Sequence, residues 1–339
     1  MKTAILVACV VCMVTHSLMS QPCQMSFFEM TLKRNSIYTP GKMQMTMTLN
    51  EKATFEGDYT FKLSIFVDNV LVRKTIMPVT RETPAMLELT FPGVRGRTDA
   101  RCRAELFMNE EFIEARERPL TLWPPATSCP NVPTNKVIWV FDTSGQLQEL
   151  FGHLRVQAID ATFQAARDFG TPAIVFIGQE TDPNSMNVIT HRLTGIKNKP
   201  TAVFLRQKSL PWTADIQVLS ESYSPKKVAC AVGSPLLQSL GRYDMMNMVE
   251  KVAPIRVKKA KNDDTHVDSY VTEVVEDEEY IFTYLCTVRK DGQVTVYCQL
   301  PATDREDPRS GILLNNLLTF AGETGNPREN GPVSHHERR

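Results

Sequence analysis

What this chain lacks narrows it considerably. Lysine plus arginine number 38 and aspartate plus glutamate also 38, so no net field draws in nucleic acid or an anionic surface. No glycine-rich phosphate loop follows any strand-like run. The turn after the first one reads Asp142-Thr143-Ser144-Gly145-Gln146-Leu147, without the glycines that let a backbone approach a pyrophosphate. A nucleophile elbow is also missing: after Ile177 comes Gly178-Gln179-Glu180-Thr181-Asp182-Pro183, with neither Ser nor Cys at the turn. Paired CxxC ligands and HxxxH spacings are absent. His153, His191 and His266 fall on different elements, and His335-His336 lies in the tail. No metal site and no cofactor is therefore expected. No internal repeat is evident.

What is present is a globular composition, 42% hydrophobic and 22% charged, on a chain long enough for two ordinary domains. Residues 1–20 read as a secretory signal: Lys2, the apolar run Ala4 to Val14, then small or polar residues to Ser17 and Ser20. That run is too short to span a bilayer, so no integral membrane segment is expected after cleavage. Leu6-Val7-Ala8-Cys9 resembles a lipobox, but the apolar stretch before Cys9 is too brief for a lipoprotein signal. The expected location is secreted or periplasmic. Of the eight cysteines, Cys23, Cys102, Cys129, Cys230, Cys286 and Cys298 follow the leader. Their wide, irregular spacing suits buried small hydrophobes better than a disulfide scaffold. A two-residue turn at Asp291-Gly292 puts Cys298 opposite Leu285 and separates it from Cys286 by a face, so no bridge is expected there.

Residues 24–123 alternate apolar and polar with frequent turns. KMQMTMTLN sets Met43, Met45, Met47 and Leu49 on one face, and YTFKLSIFVD, VLVRKTIMPV, AMLELTFPG, CRAELFMN and EFIEARERPLTLWP continue the style. About seven short strands in a hundred residues fit an immunoglobulin-like antiparallel β-sandwich, although the Cys-Trp-Cys arrangement of antibody domains is missing. The basic stretch Arg97 to Arg103 reads as a solvated strand end. PPATSCPNVPTN, residues 124–135, is a proline-rich linker.

From residue 136 the pattern changes. KVIWVFD, PAIVFIG and TAVFLRQ are continuous apolar runs spaced as βαβ crossovers require, which predicts a parallel sheet in an α/β domain over 136–322. Gln146 to Gly170 has two readings: one long helix, or a short helix ended by Gly152 and a strand over residues 154–158. The second is preferred. Met186 to Ile196 reads as a helix, Lys226 to Val232 as a strand, and Gly233 to Leu237 as a turn and helix start. Lys258 to Asp268 reads as an exposed loop before a strand near Tyr270. YIFTYLCTVRK and QVTVYCQLP form a hairpin, and GILLNNLLTFAG a terminal helix ending at Gly322. Residues 323–339 form a polar tail expected to be disordered.

In an open α/β sheet ligands bind beyond the carboxyl ends of the strands. Asp142, Ser144, Gln179, Glu180, Gln207 and Trp212 are the candidate ligand-binding residues there. For Asp142 and Ser144, helix capping outweighs ligand contact. Gln207 followed by Pro211-Trp212 is the most suggestive, since an amide beside an indole can hold a sugar or a polar partner. Trp212 serves equally as interface or core. Cys230 lies within an apolar run and reads as a packed thiol. Asp277-Glu278-Glu279 reads as a solvated edge.

IWVFDTSG, AIVFIGQE, the strand ending Phe204-Leu205-Arg206-Gln207, Ser234-Pro235-Leu236-Leu237-Gln238-Ser239-Leu240, and GQVTVYCQLP followed by GILLNNLLTFAG occur in one order over residues 136–322. That order resembles the class I glutamine amidotransferase-like domain found as an accessory module in bacterial secreted glycoside hydrolases. An upstream sandwich ending in PLTLWP is similar to their arrangement. The resemblance implies a flavodoxin-like fold without its Cys-His-Glu triad, serving assembly or substrate access. Those modules usually close the third landmark in Glu-Gln and open the fourth with His-Pro, where this chain has Arg206-Gln207 and Ser234-Pro235. No catalytic residue carries over. The expectation is an exported, non-catalytic binding or assembly module with a carbohydrate, an exported protein or a second copy as partner and no nucleic acid. The alternative is a hydrolase or amidase using an unrecognised Cys or Ser.

Overall fold

The structure is a computed structural model. It describes residues 26–50, 57–80, 82–125, 136–162, 172–196, 199–210, 216–220, 225–250, 252–259, 265–277 and 279–324. Trp212, His335, His336, Cys23, Cys129, the signal-like leader, the tail and most of the proline-rich segment lie outside them. The chain divides into two compact units, Met1–Pro124 and Pro125–Arg339, and is β-rich in both.

The first unit is a two-sheet sandwich. Its strands are β1 (Phe28–Leu32), β2 (Ser36–Tyr38), β3 (Gly41–Leu49), β4 (Tyr59–Val67), β5 (Val70–Val79), β6 (Ala85–Phe91), β7 (Thr98–Met108) and β8 (Glu111–Trp123). One sheet runs β1-β3-β6 and the other β2-β8-β7-β4-β5. Alternation decides which side faces inward: Met43, Met45, Met47 and Leu49 on β3 meet Phe61, Leu63 and Ile65 on β4 in one core. Phe28 and Phe61 pack edge to face at 4.9 Å. Each such buried side chain contributes about 1.5–3 kcal/mol, whereas the exposed Lys42–Glu88 pair across β3 and β6 contributes under about 1 kcal/mol. The apolar period therefore sets the register. Short β2 pairs parallel to the end of β8, and Trp123 Nε1 donates to Ser36 Oγ at 2.8 Å, which satisfies the buried indole. The basic stretch begins just before β7, where Arg101 and Arg103 pair with Glu117 at the surface.

The second unit is built on a ten-stranded mixed sheet. Its strands are β9 (Ile138–Phe141), β10 (Ile159–Asp160), β11 (Ile174–Ile177), β12 (Thr201–Leu205), β13 (Ile216–Val218), β14 (Val228–Cys230), β15 (Ile255–Lys258), β16 (Thr265–Glu273), β17 (Tyr280–Lys290) and β18 (Gln293–Cys298). Helices are α1 (Gln146–His153), α2 (Pro183–Thr194), α3 (Arg242–Met248) and α4 (Pro308–Thr324), with a 3₁₀ turn at Pro235–Leu237. The parallel part runs β10-β9-β11-β12-β18, and β17 and β15 then join antiparallel. Every residue of β9, β11 and β12 is buried, as layers on both faces of a parallel sheet require.

Several boundaries differ from the sequence reading. The short helix after β9 forms, but it ends at His153, and the strand that follows is Ile159–Asp160 instead of residues 154–158. Arg155 takes a positive φ of 56°, which breaks the alternation there. The charged stretch near residue 258 is shorter than a loop to Asp268: β16 starts at Thr265, paired with Lys290. Gly322 lies inside α4, not at its end. The helix runs on to Thr324, whose Oγ1 donates to Phe320 O at 3.0 Å. Between β17 and β18 the turn is the expected two-residue one, with φ of 48° at Asp291 and 76° at Gly292. Cys298 stands opposite Leu285 and Cys286 opposite Tyr297, and both thiols are free.

Candidate functional site

The carboxyl ends of β9, β11 and β12 form the site. Asp142 follows β9 and is buried. Its Oδ1 accepts from Ser144 N at 3.0 Å and from Ser144 Oγ at 2.6 Å, and its Oδ2 accepts from Leu147 N at 2.7 Å in the first turn of α1. The carboxylate therefore anchors the helix start, where free amides attract negative charge. Gly145, with φ of 71°, lets the chain reverse into α1. Gly178 ends β11 against Asp142: a Cβ there would lie 2.7 Å from Oδ1 and 2.8 Å from Cγ.

Gln207, which follows β12, is buried and ties two strand ends together. Its Oε1 accepts from Thr181 N at 3.1 Å, and its Nε2 donates to Gly178 O and to Leu205 O, the latter at 2.7 Å. The backbone carbonyl of Gln207 accepts from Gln299 Nε2 at 3.0 Å. Gln179 donates to Thr303 in the loop after β18. Glu180, exposed with φ of 51°, pairs with Lys208 at 2.7 Å. The Lys208 ammonium hydrogen-bonded to it holds its carboxyl below the usual range. Asp142, Ser144, Gln179, Glu180 and Gln207 thus share one end of the sheet. Asp142 and Gln207 hold that end together from within.

Beside them a cleft of about 330 Å³ is lined by Phe141, Thr143, Thr162, Thr181, Asn184, Ser185, Val188, Ile189 and Arg192. Its position beyond the carboxyl ends of β10, β9 and β11 is where open α/β sheets place ligands. The α2 wall starts at Asp182, whose carboxylate accepts from Asn184 N and Ser185 N at 3.0 Å each, with Pro183 as first helical residue. Ser185, through its hydroxyl and its backbone N–H beside Asp182, keeps that carboxyl below its usual range. Arg192, two turns further on, donates to Ala161 O at 3.1 Å and lies over Phe141 at 5.9 Å.

Sequence reasoning reached the strand ends but missed Thr143, Thr162, Thr181, Asn184, Ser185 and Arg192. Asp182-Pro183 is a legible helix start and was the available signal for the α2 wall. Nothing in the sequence marks Thr162 as its neighbour, because β10 crosses to the far side of β9.

Among the described residues the thiols are poor nucleophiles. Burial raises Cys102 and Cys298 to about 12 and raises Cys286 further. Cys230 sits on β14, half-buried, and desolvation raises it despite Arg242 nearby. His266 pairs with Asp268 at 2.9 Å on β16, while His153 and His191 occupy the last turns of α1 and α2. Among the described residues no group of three or more His, Cys, Asp or Glu is arranged to hold a metal, and no helix is long and apolar enough to cross a membrane.

Fold and cleft together define a β-rich multidomain chain with a small crevice of mixed polar and apolar lining at the strand ends. No family model matches it, and no curated protein matches it. Among solved structures, a β-glucuronidase of Parabacteroides merdae aligns over 55% of this chain and 24% of its own, at 9% identity and TM-score 0.24. An FMN-binding β-glucuronidase from Facaelibacterium prausnitzii L2-6 aligns over 54% and 34%, at 11% identity and TM-score 0.23. The CARDB domain of a Pyrococcus furiosus protein in complex with di-metal ions aligns over 29% and 84%, at 8% identity and TM-score 0.22. The aligned part is a minor share of either glucuronidase, and similarity this slight carries no argument about activity.

Proposed function

We propose that this chain is an exported, non-catalytic binding or assembly module associated with carbohydrate processing. In this reading residues 1–20 are a cleaved leader, 24–123 an immunoglobulin-like sandwich, 124–135 a linker, 136–322 a degenerate amidotransferase-like domain and 323–339 a tail. The strand order β10-β9-β11-β12-β18 supports the flavodoxin-like part, since in chain order it reads second, first, third, fourth, last. The observation that carries the function is the strand-end cleft, in which hydroxyls, one amide and one guanidinium stand beside the apolar Phe141, Val188 and Ile189. The neighbouring Asp142 carboxylate and Gln207 amide are already bonded within the protein. Such a surface holds a polar ligand without attacking it.

Titration calorimetry of the full chain against a glycan panel, with pull-down from exported protein, tests the proposal. Binding lost in Val188→Trp, which fills the cleft, supports it. Failure to bind any glycan or exported protein refutes it. A second reading, self-assembly, is favoured by edge strand β5, where Val70, Leu71, Val72 and Ile76 are exposed. A monomer at high concentration in sedimentation removes that reading.

A further inference from the structure

The hydroxyls of the strand-end cleft are not equivalent, because their hydrogens already have partners or do not. Thr181 Oγ1 donates to Gly178 O at 3.1 Å. A hydroxyl has one hydrogen and two lone pairs, so Thr181 offers a ligand acceptor capacity alone. Thr162 is the opposite case. Its Oγ1 accepts from Asp142 N at 2.9 Å, which leaves its hydrogen for another partner. Asn184, exposed at the start of α2, carries both donors and an acceptor. The Arg192 guanidinium, whose Nη1 donates to Ala161 O, brings positive charge to the cleft, and Phe141, Val188 and Ile189 form an apolar wall.

The lining therefore asks for a ligand that donates and accepts over a short distance. A carboxylate, sulfate or phosphate only accepts; it would leave Thr181 without a donor and would sit on the side of the cleft where Asp182 caps α2. An ammonium only donates and would meet the Arg192 guanidinium. Adjacent hydroxyls on an apolar ring do both, donating to Thr181 and accepting from Thr162 and Asn184. Resting on the strand-end cleft as the binding site, we infer that it takes a neutral polyhydroxylated ligand, a sugar residue with neighbouring free hydroxyls, and discriminates against the corresponding sugar acid.

The test is calorimetry of the full chain with methyl glucoside, methyl galactoside and methyl mannoside, with glucuronate and inorganic phosphate as anionic probes. At least one neutral glycoside binds in the millimolar range, and glucuronate and phosphate bind at least about tenfold more weakly. Val188→Trp abolishes the binding and Asn184→Ala weakens it severalfold. Both sites are exposed, so an unchanged urea midpoint verifies folding. Glucuronate or phosphate binding as well as the glycosides, with loss in Val188→Trp, overturns the neutral-ligand inference and leaves the cleft as a binding site. Glycoside binding that survives Val188→Trp overturns the assignment of the sugar to this cleft. No glycoside binding together with capture of an exported protein overturns the inference alone, and silence in both assays overturns the binding-module reading as well.

Discussion

Replacing Gln207 separates a scaffold role from a ligand role at the strand ends. Gln207→Met keeps length and volume while removing both ends of the amide. The loss that matters most is at Thr181, whose buried N–H has the Gln207 Oε1 as acceptor at 3.1 Å. Gly178 O retains the Thr181 hydroxyl. An orphaned buried donor costs about 1–3 kcal/mol, and two lost donations add about 1 kcal/mol each. The total is about 3–5 kcal/mol, a fall in urea midpoint of roughly 1–2 M. Gln207→Glu sharpens the test, because it points a carboxylate oxygen at Gly178 O and Leu205 O, which have no hydrogen to give it. That raises the folded-state pKa above the unfolded value of about 4.3. With the folded pKa raised, the variant is most stable below the unfolded pKa and loses stability as pH rises through the folded pKa. Urea denaturation across mildly acidic to neutral pH should show a gap from wild type that widens upward for Gln207→Glu and stays constant for Gln207→Met. A Gln207→Met shift below about 0.5 kcal/mol, or a Gln207→Glu gap that narrows with pH, refutes the scaffold role.

Gly178→Ala sets a Cβ 2.7 Å from Asp142 Oδ1 and should destabilise by about 1–3 kcal/mol, read as a lowered melting temperature; an unchanged value means that the two strand ends are not in contact. Arg309→Met removes the bidentate partner of buried Asp307, whose Oδ2 lies 2.6 Å from Arg309 Nη2 at the start of α4. The stranded carboxylate costs about 3–5 kcal/mol, and a thermal melt within error of wild type would contradict the burial. Among the four described thiols, iodoacetamide labelling with mass spectrometry should modify Cys230 first and reach Cys102, Cys286 and Cys298 only after unfolding, since burial holds these three thiols protonated. Early labelling of Cys286 or Cys298 in the native protein would refute that burial.

Much of the second unit was legible because parallel strands buried on both faces leave continuous apolar runs, as in Ile138–Phe141, Ile174–Ile177 and Thr201–Leu205. The Asp291-Gly292 turn was equally readable, since only a pair tolerating positive φ closes a two-residue hairpin. From that turn alone the facing of Cys286 and Cys298 followed. Strand β10 escaped, because two residues carry no period. The start of β16 escaped because its charged residues face solvent on a half-buried strand.

The amino-acid order by itself determined the β-rich architecture, the alternating core of the sandwich and the pairing of β17 with β18, because burial periods and turn chemistry are local properties. Only the tertiary structure decided what the strand ends do. Whether the Gln207 amide meets a ligand or the backbone of Gly178 and Thr181, and which hydroxyls keep a hydrogen for the cleft, depends on residues brought together across the sheet, whose sequence neighbours carry no trace of the contact.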